Sequence, residues 1–364
     1  MAINATRISA GGALEVLRAA WAAQQAGGMT ASWMLHGRPG VGKSEIVAQL
    51  AAEIDAELHD LRLTTIEPQD LRGLPFYDHE AGKTIWYRPE DLPDGDRPAV
   101  LFLDELTAAA PSLQPTVYGL LQERRVGRHV LPQNVLIVAA GNMVEDGAVA
   151  YEMGTALSDR LVHMVVQADV DDWLRNYAAR AGVHPSVAAF LKTRPDLFET
   201  TEAALRRGDA IACTPRSWQR VSDIMHQTLP RATCQVMISG TVGEAAGADF
   251  LLLAEELAAC VHVDKMLATA REDRAELYPD TLHGITALLY GLVGAVDART
   301  MPAAIEIMSD LRSIDRAGLP VSELSTFGFE LLIGRAMEQG WQAAFVGSEA
   351  FASYQKDRAA AGLP

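Results

Sequence analysis

The octapeptide Gly37-Arg38-Pro39-Gly40-Val41-Gly42-Lys43-Ser44 constrains the fold more than any other part of the chain. It stands between an apolar run, Ser32 to His36, and a helical pattern that opens Glu45-Ile46-Val47-Ala48-Gln49-Leu50. The pattern is GxxxxGK[ST] in a strand–loop–helix setting. Glycines let backbone N–H groups curl around phosphate oxygens, and the following helix N-terminus adds positive potential. In such a loop Lys43 reaches the β and γ phosphates and the Ser44 hydroxyl ligates Mg²⁺. The alternative for the same glycines is an ordinary surface turn.

The text around this loop alternates short apolar runs with helical patterns up to about residue 166. The runs are Leu58 to Leu63, Val100 to Leu103, Val135 to Ala140 and His163 to Val166. Continuous apolar strands separated by helices predict a parallel sheet covered on both faces. A leading helix is expected over 13–26, closed by Gly27 and Gly28. Between the second and third strands, Leu74 to Tyr87 reads as an inserted hairpin turning at His79-Glu80-Ala81-Gly82. After about 170 strand signals stop. Helices are expected over Asp172 to Ala181, Pro185 to Lys192 and Pro215 to Thr228, then over 243–268, 281–296, 301–313 and 322–339. Domain boundaries are expected near 170 and near 230.

Two further strand ends carry chemistry. Val100-Leu101-Phe102-Leu103 runs into Asp104-Glu105, an acidic pair at the carboxyl end of a buried strand, where open parallel sheets bind ligands. Asp104 can hold Mg²⁺ through its water shell and Glu105 can polarise an attacking water. A helix N-cap acid is the plainer alternative. Gly141-Asn142 ends the strand Val135 to Ala140; the neutral amide can orient water, or the pair can be simply a turn. His36, His129 and His163 lack metal-ligand spacing and are read as structural. Trp86, Tyr87 and Trp218 are read as core or hairpin packing, as are Phe76 and Tyr77, with pore lining the alternative for the last two.

As a set, Gly37 to Ser44, Leu101 to Thr107, the helix expected over Ser112 to Val126, Gly141-Asn142, Ser158-Asp159-Arg160 and Thr214-Pro215-Arg216 resemble the MoxR branch of the AAA+ ATPases. The resemblance covers residues 32 to about 228. It implies an α/β P-loop AAA+ core with a parallel sheet over 1–170, with Glu67 to Gly73 and the 74–87 hairpin as its helix-2 insertion. It implies an α-helical lid over 171–230, and the remaining residues 231–364 form a helical C-terminal extension. It further implies ATP and Mg²⁺ as ligands, Asn142 as first sensor and Arg216 as second sensor. Arg160 becomes an arginine finger acting on a neighbouring subunit's nucleotide, with Arg124 or Arg125 as alternatives and a surface salt bridge as the plain reading. Arg216 has its own argument: Thr214 and Pro215 look like N-cap and first position of a helix, where a cation is disfavoured unless an anion or a salt-bridge partner is near.

Composition narrows the partners. A formal charge of −16, half of it in 231–364, repels a nucleic-acid backbone on average, and no basic run offsets it. The three cysteines show no CxxC spacing and read as free thiols in a reducing compartment. The start lacks a signal-peptide pattern, and the longest uncharged run, Thr281 to Val296, is short of the ~20 residues that span a bilayer, which reads as a cytoplasmic protein without a membrane span. The expectation is an ATPase that assembles as a ring, a hexamer by resemblance, and remodels or matures a protein partner, such as one with a von Willebrand factor A domain. A nucleic-acid motor or loader and a nucleotide-dependent scaffold are the alternatives.

Overall fold

A computed structural model describes residues 3–143, 155–314 and 318–360. By packing, the chain divides into two compact units, Met1–Asp169 and Val170–Pro364.

The first unit is built on six strands: β1 (Arg7–Ile8), β2 (Ser32–His36), β3 (Glu57–Arg62), then β6 (Ala99–Asp104), β9 (Val135–Gly141) and β10 (Leu161–Val166), with the short β4 (Pro75–Asp78), β5 (Lys83–Trp86), β7 (Arg125–Val126) and β8 (His129–Val130) lying outside the main sheet. The main sheet runs β1-β10-β2-β9-β6-β3, with every pair parallel. Strands β2 and β9 are buried along their whole length, and β6 in all but its last residue. That double-sided burial is why they read as unbroken apolar runs.

Alternate residues nonetheless serve different faces. Trp33 and Leu35, Val100 and Phe102, and Leu136 and Val138 pack with Leu14 and Leu17 of α1 (Ala10–Gln25) and Leu50 of α2 (Lys43–Glu53). Met34, Leu101, Leu103, Ile137 and Ala139 pack with Val117, Leu120 and Leu121 of a helix over Gln114–Glu123. The edge strand β3 is mostly exposed, with only Leu61 buried.

One expectation for this unit is corrected and one is narrowed. The helix expected over Ser112 to Val126 occupies Gln114–Glu123 and stops at Arg124, whose φ is 52°. The chain then turns back through the β7–β8 hairpin, pairing Arg125 with Val130. The inserted hairpin forms at Pro75–Asp78 and Lys83–Trp86, and of the two packing alternatives for its aromatics the structure shows the hairpin one, not a core: Phe76 is 49% exposed, Tyr77 68% and Tyr87 56%. Phe76 and Tyr87 instead meet each other with ring centroids 5.3 Å apart.

The second unit is helical throughout its described residues. The pattern expected from Asp172 to Ala181 resolves into a short α-turn, Val170–Asp172, and a π-helix over Trp173–Ala178. Helices follow at Pro185–Thr193, Pro215–Met225, Glu244–Cys260 and Val263–Ala268, the last two replacing one continuous stretch expected over 243–268. Further helices span Leu282–Ala295, Met301–Leu311 and Val321–Gln339. Leu282–Ala295 is buried at every position from Gly284 to Val293, which accounts for its unbroken apolar sequence. An aromatic cluster joins three helices: Trp218 lies 5.2 Å from Phe190 and 5.9 Å from Phe250, and Phe190 meets Phe250 edge-on at 5.5 Å. No described helix is long and apolar enough to cross a membrane. The cysteines are free; Cys213 is buried, Cys234 half-buried and Cys260 exposed.

Candidate functional site

The loop Gly37–Ser44 leaves the carboxyl end of β2 and enters α2 through Gly42, at φ 107°, with Gly40 at φ 81°. These are left-handed conformations that glycine adopts without a Cβ penalty. No side chain caps the start of α2, whose positive helix end is suited to an anion. Gly37 has a second requirement: a Cβ there would stand 2.6 Å from the Val166 carbonyl oxygen, so the loop can leave β2 beside β10 only without a side chain.

Lys43 is buried, 9% exposed, and its ammonium donates to the Gly37 carbonyl at 2.6 Å, the Arg38 carbonyl at 3.1 Å and the Asn142 Oδ1 at 3.0 Å. A strand-ending amide and the loop lysine are thereby joined across β2 and β9, which pair His36 with Gly141. Gly141 is itself required, since a Cβ would strike Thr107 at 2.6 Å. The Thr107 hydroxyl donates to the Asn142 carbonyl at 3.1 Å and fixes that end.

Ser44 Oγ donates to Asp104 Oδ2 at 3.4 Å, while Asp104 Oδ1 accepts the Glu105 backbone N–H at 2.8 Å. A hydroxyl and a carboxylate oxygen converging beside the helix N-terminus are hard oxygen donors that fit Mg²⁺ next to a polyphosphate. Glu105 takes a left-handed backbone, φ 59° and ψ 34°, and its carboxylate accepts a hydrogen bond from Thr64. Arg62 Nε lies 3.9 Å from the other carboxylate oxygen. A glutamate that is over a third exposed and held in an unfavourable backbone state is aimed by its surroundings rather than by its own preference.

Thr64 and Arg62 escaped the reading of the sequence. Both lie where β3 ends beside β6, in a register that pairs Arg62 with Asp104. The usable signal was position: polar residues at the carboxyl end of the strand next to the acidic pair. Asp60, on the same strand, is held above the ordinary carboxylate range, first by burial and then by the negative charge of Asp104.

The remaining candidates stand apart from this cluster. Arg160 immediately precedes β10, whose Leu161 pairs with Ser32 at the opposite end of the strands from the loop. Four strand steps separate Ser32 from His36, roughly 13 Å. The Arg160 guanidinium donates to Gln122 and lies over the Tyr118 ring at 5.9 Å, both on the Gln114–Glu123 helix. Arg124 turns inward: its guanidinium donates to the carbonyls of Pro132 at 2.9 Å and Val135 at 2.6 Å, and burial pushes its pKa down. Arg125 is exposed and hydrogen-bonds the Gly127 carbonyl of its own hairpin.

Arg216 belongs to the second unit. Thr214 caps its helix, Oγ1 accepting from the Ser217 N–H at 3.1 Å while Ser217 Oγ accepts from the Thr214 N–H at 2.8 Å. With Pro215 in the first turn, Arg216 is exposed beside the positive helix end and makes no ion pair or hydrogen bond to any described residue. The histidines are engaged locally: His129 meets the Arg72 carbonyl at 3.2 Å, and His36 meets His163 at 2.8 Å. Among the described residues no cluster of three or more His, Cys, Asp or Glu is arranged to hold a metal.

Residues 32–161 match the family model described as an AAA domain, dynein-related subfamily. No curated protein matches the chain. Among solved structures, the Thermotoga maritima RuvB Holliday junction branch migration motor is 15% identical with a TM-score of 0.38, covering 77% of this chain and 80% of that one. A mutant form of the same protein is 16% identical at a TM-score of 0.39, with the same coverage.

Proposed function

We propose that this chain, an ATP-hydrolysing enzyme built on an AAA+ core, works as a MoxR-like ring whose sites are completed by neighbouring subunits and whose turnover remodels a protein partner. The observation that carries this reading is the position of Arg160. One chain gathers Lys43, Ser44, Asp104, Glu105 and Asn142 at one end of its strands and presents Arg160 at the other.

In this reading Gly37, Arg38, Pro39, Gly40, Val41 and Gly42 wrap the phosphates, and Lys43 leaves the Gly37 and Arg38 carbonyls to meet them. Ser44 and Asp104, the latter through water, would hold Mg²⁺, which when bound would supply charge neutralisation to the phosphate oxygens. Glu105, steered by Thr64, polarises the attacking water, and Asn142 orients it. Arg160 from the adjacent subunit and Arg216 balance charge on the transferring group; a planar fork that is always protonated suits those oxygens. The hydrogen bonds of the Arg124 guanidinium to the carbonyls of Pro132 and Val135 favour Arg160 over it as the finger.

Two features favour a protein client over nucleic acid: the net charge of −16, and the exposed aromatic hairpin bearing Phe76, Tyr77 and Tyr87. A partner with a von Willebrand factor A domain, a hexameric ring and a cytoplasmic setting complete the proposal.

Mixing tests it directly. Wild-type protein titrated with Arg160→Ala should lose ATPase activity faster than dilution predicts, because each mutant disables a neighbour's site. Strictly proportional loss from co-assembled subunits overturns trans action. A Glu105→Gln variant should hold its client under ATP; capture of DNA in place of protein at physiological salt overturns the client reading.

A further inference from the structure

His36 is the last residue of β2, directly before the phosphate loop, and is 1% exposed. Its ring lies edge to edge with that of His163, centroids 5.1 Å apart and planes 15° from parallel, with Nε2 2.8 Å from His163 Nδ1. His163 Nε2 lies 2.8 Å from the Ser158 carbonyl and 3.1 Å from its hydroxyl. A carbonyl only accepts, so His163 carries its proton on Nε2. In the neutral pair His163 Nδ1 then accepts from His36 Nε2–H, leaving His36 Nδ1 bare. That atom is buried and has no hydrogen-bond partner among the described residues.

The chain of contacts is therefore directional. It starts at the loop end of β2, passes through His163 in the middle of β10, and ends at Ser158, two residues before Arg160. Both ends of the path are tightly seated. At the loop end Gly37 abuts the Val166 carbonyl of β10 so closely that no Cβ fits, and Lys43 ties the Gly37 carbonyl at 2.6 Å. Burial, the neighbouring His163 and the charge of Lys43 together hold the His36 pKa down, to about 3, so the ring stays neutral. At the far end the Arg160 N–H donates to the Leu157 carbonyl at 3.1 Å in the same turn that offers the Ser158 carbonyl. A phosphate that drew Lys43 off the Gly37 carbonyl would change the seat of the His36–Gly37 peptide, and the hydrogen-bonded rings give a polar route from there to the turn that carries Arg160.

We propose that the His36–His163 pair is a positioning device that couples phosphate binding in a subunit's own loop to the placement of the Ser158–Arg160 turn it offers to its neighbour. This rests on the reading of Arg160 as acting in trans. It adds a direction: occupancy of one site prepares the finger for the next.

The test is hydrogen exchange of the peptide over residues 157–163, with and without ATP and Mg²⁺, in Glu105→Gln protein that binds without turnover. ATP should slow exchange at least about fivefold, the lower end of ordinary site-to-site coupling. Adding Arg160→Ala should leave that slowing in place, because the signal comes from the subunit's own loop. Adding His163→Phe, which keeps a flat ring in place but neither hydrogen bond, should abolish it, and His163→Gln, which keeps a donor and an acceptor, should restore part. Thermal melting checks folding; if His163→Phe melts early, His36→Phe replaces it with the same expectation. Full ATP-dependent slowing in the folded phenylalanine variant overturns the coupling. Slowing lost with Arg160→Ala yet kept in His163→Phe also overturns it, showing that the turn senses the neighbour's nucleotide, and leaves trans action standing. Failure of the mixing experiment instead removes the trans reading whatever the exchange shows.

Discussion

Removing the Phe250 ring should loosen the helix that carries Arg216, although the two residues lie 34 positions apart in sequence. Phe250 on the Glu244–Cys260 helix is fully buried against Trp218 and Phe190, and Trp218 stands two residues after Arg216. A phenylalanine side chain of about 200 Å² at ~25 cal/mol per Å² gives about 5 kcal/mol for complete burial. Partial collapse of the cavity brings Phe250→Ala to roughly 3–5 kcal/mol. Against a domain stability of about 5–15 kcal/mol, that is a large share. The fixed points on either side make collapse hard: Trp218 Nε1 donates to the Leu197 carbonyl at 2.8 Å, and Cys213 Sγ to the Val242 carbonyl at 3.3 Å. Urea unfolding followed by tryptophan fluorescence measures the loss, and hydrogen exchange locates it, with faster exchange expected over Pro215–Met225 as well as over Glu244–Cys260. Leu252→Ala on the same helix, 69% exposed, is the control and should change stability by less than ~0.5 kcal/mol. The reasoning is refuted if Phe250→Ala speeds exchange in its own helix while Pro215–Met225 keeps wild-type protection. It is equally refuted if a chain ended at residue 230 keeps that protection.

Acidification should destabilise the first unit through His36. With its pKa near 3 in the folded protein against 6.5 for the free side chain, the unfolded chain binds the extra proton between those values, so stability falls as pH drops below about 6.5, by ~2 kcal/mol at pH 5. The pH slope of urea stability should flatten by that amount in His36→Phe; His184, lowered to about 4 in the second unit, contributes in the same direction and is unaffected by the substitution. Glu105→Gln should cut ATP turnover by about 10²–10⁴ while fluorescent-nucleotide affinity stays within a few-fold, and turnover within tenfold of wild type would remove Glu105 as the base. Arg124→Ala should lower the urea midpoint by an amount worth about 1–3 kcal/mol, because the half-buried Pro132 carbonyl loses the donor that the guanidinium supplies, without poisoning wild-type rings in a mixing titration.

The parts that were legible in the sequence share one physical trait: local context specifies them. Ser32 to His36 and Val135 to Ala140 are buried on both faces, so apolar runs had to mark them. The Gly37–Ser44 loop is a contiguous backbone shape, and Asp104 and Asn142 are named by the strands they end. What stayed hidden depends on contacts between distant residues or on a single backbone angle. Arg124 looks like a good helix residue, yet it adopts φ 52° and buries its guanidinium, which ends the helix and starts the β7–β8 hairpin. Two-residue β1 is a strand only because β10 lies beside it. Thr64 and His163 are ordinary residues in ordinary surroundings along the chain; strand pairing alone brings one to Glu105 and the other to His36.

The sheet's uniform polarity has a consequence for assembly symmetry. Because all six strands run the same way, the two ends of the sheet are chemically unlike, one carrying the Gly37–Ser44 loop and the other leading to Arg160. On the proposed trans role of Arg160, a productive contact must join unlike ends. A two-fold pair can do so only by setting its subunits antiparallel, each loop against the other's arginine, which uses both ends and stops growth. A head-to-tail row repeats the contact and finishes with one loop and one arginine uncompleted until the circle closes. An open arc of that kind would contain one subunit without a neighbour's arginine, a weak link whose share of the total activity shrinks as the array lengthens and vanishes when it closes.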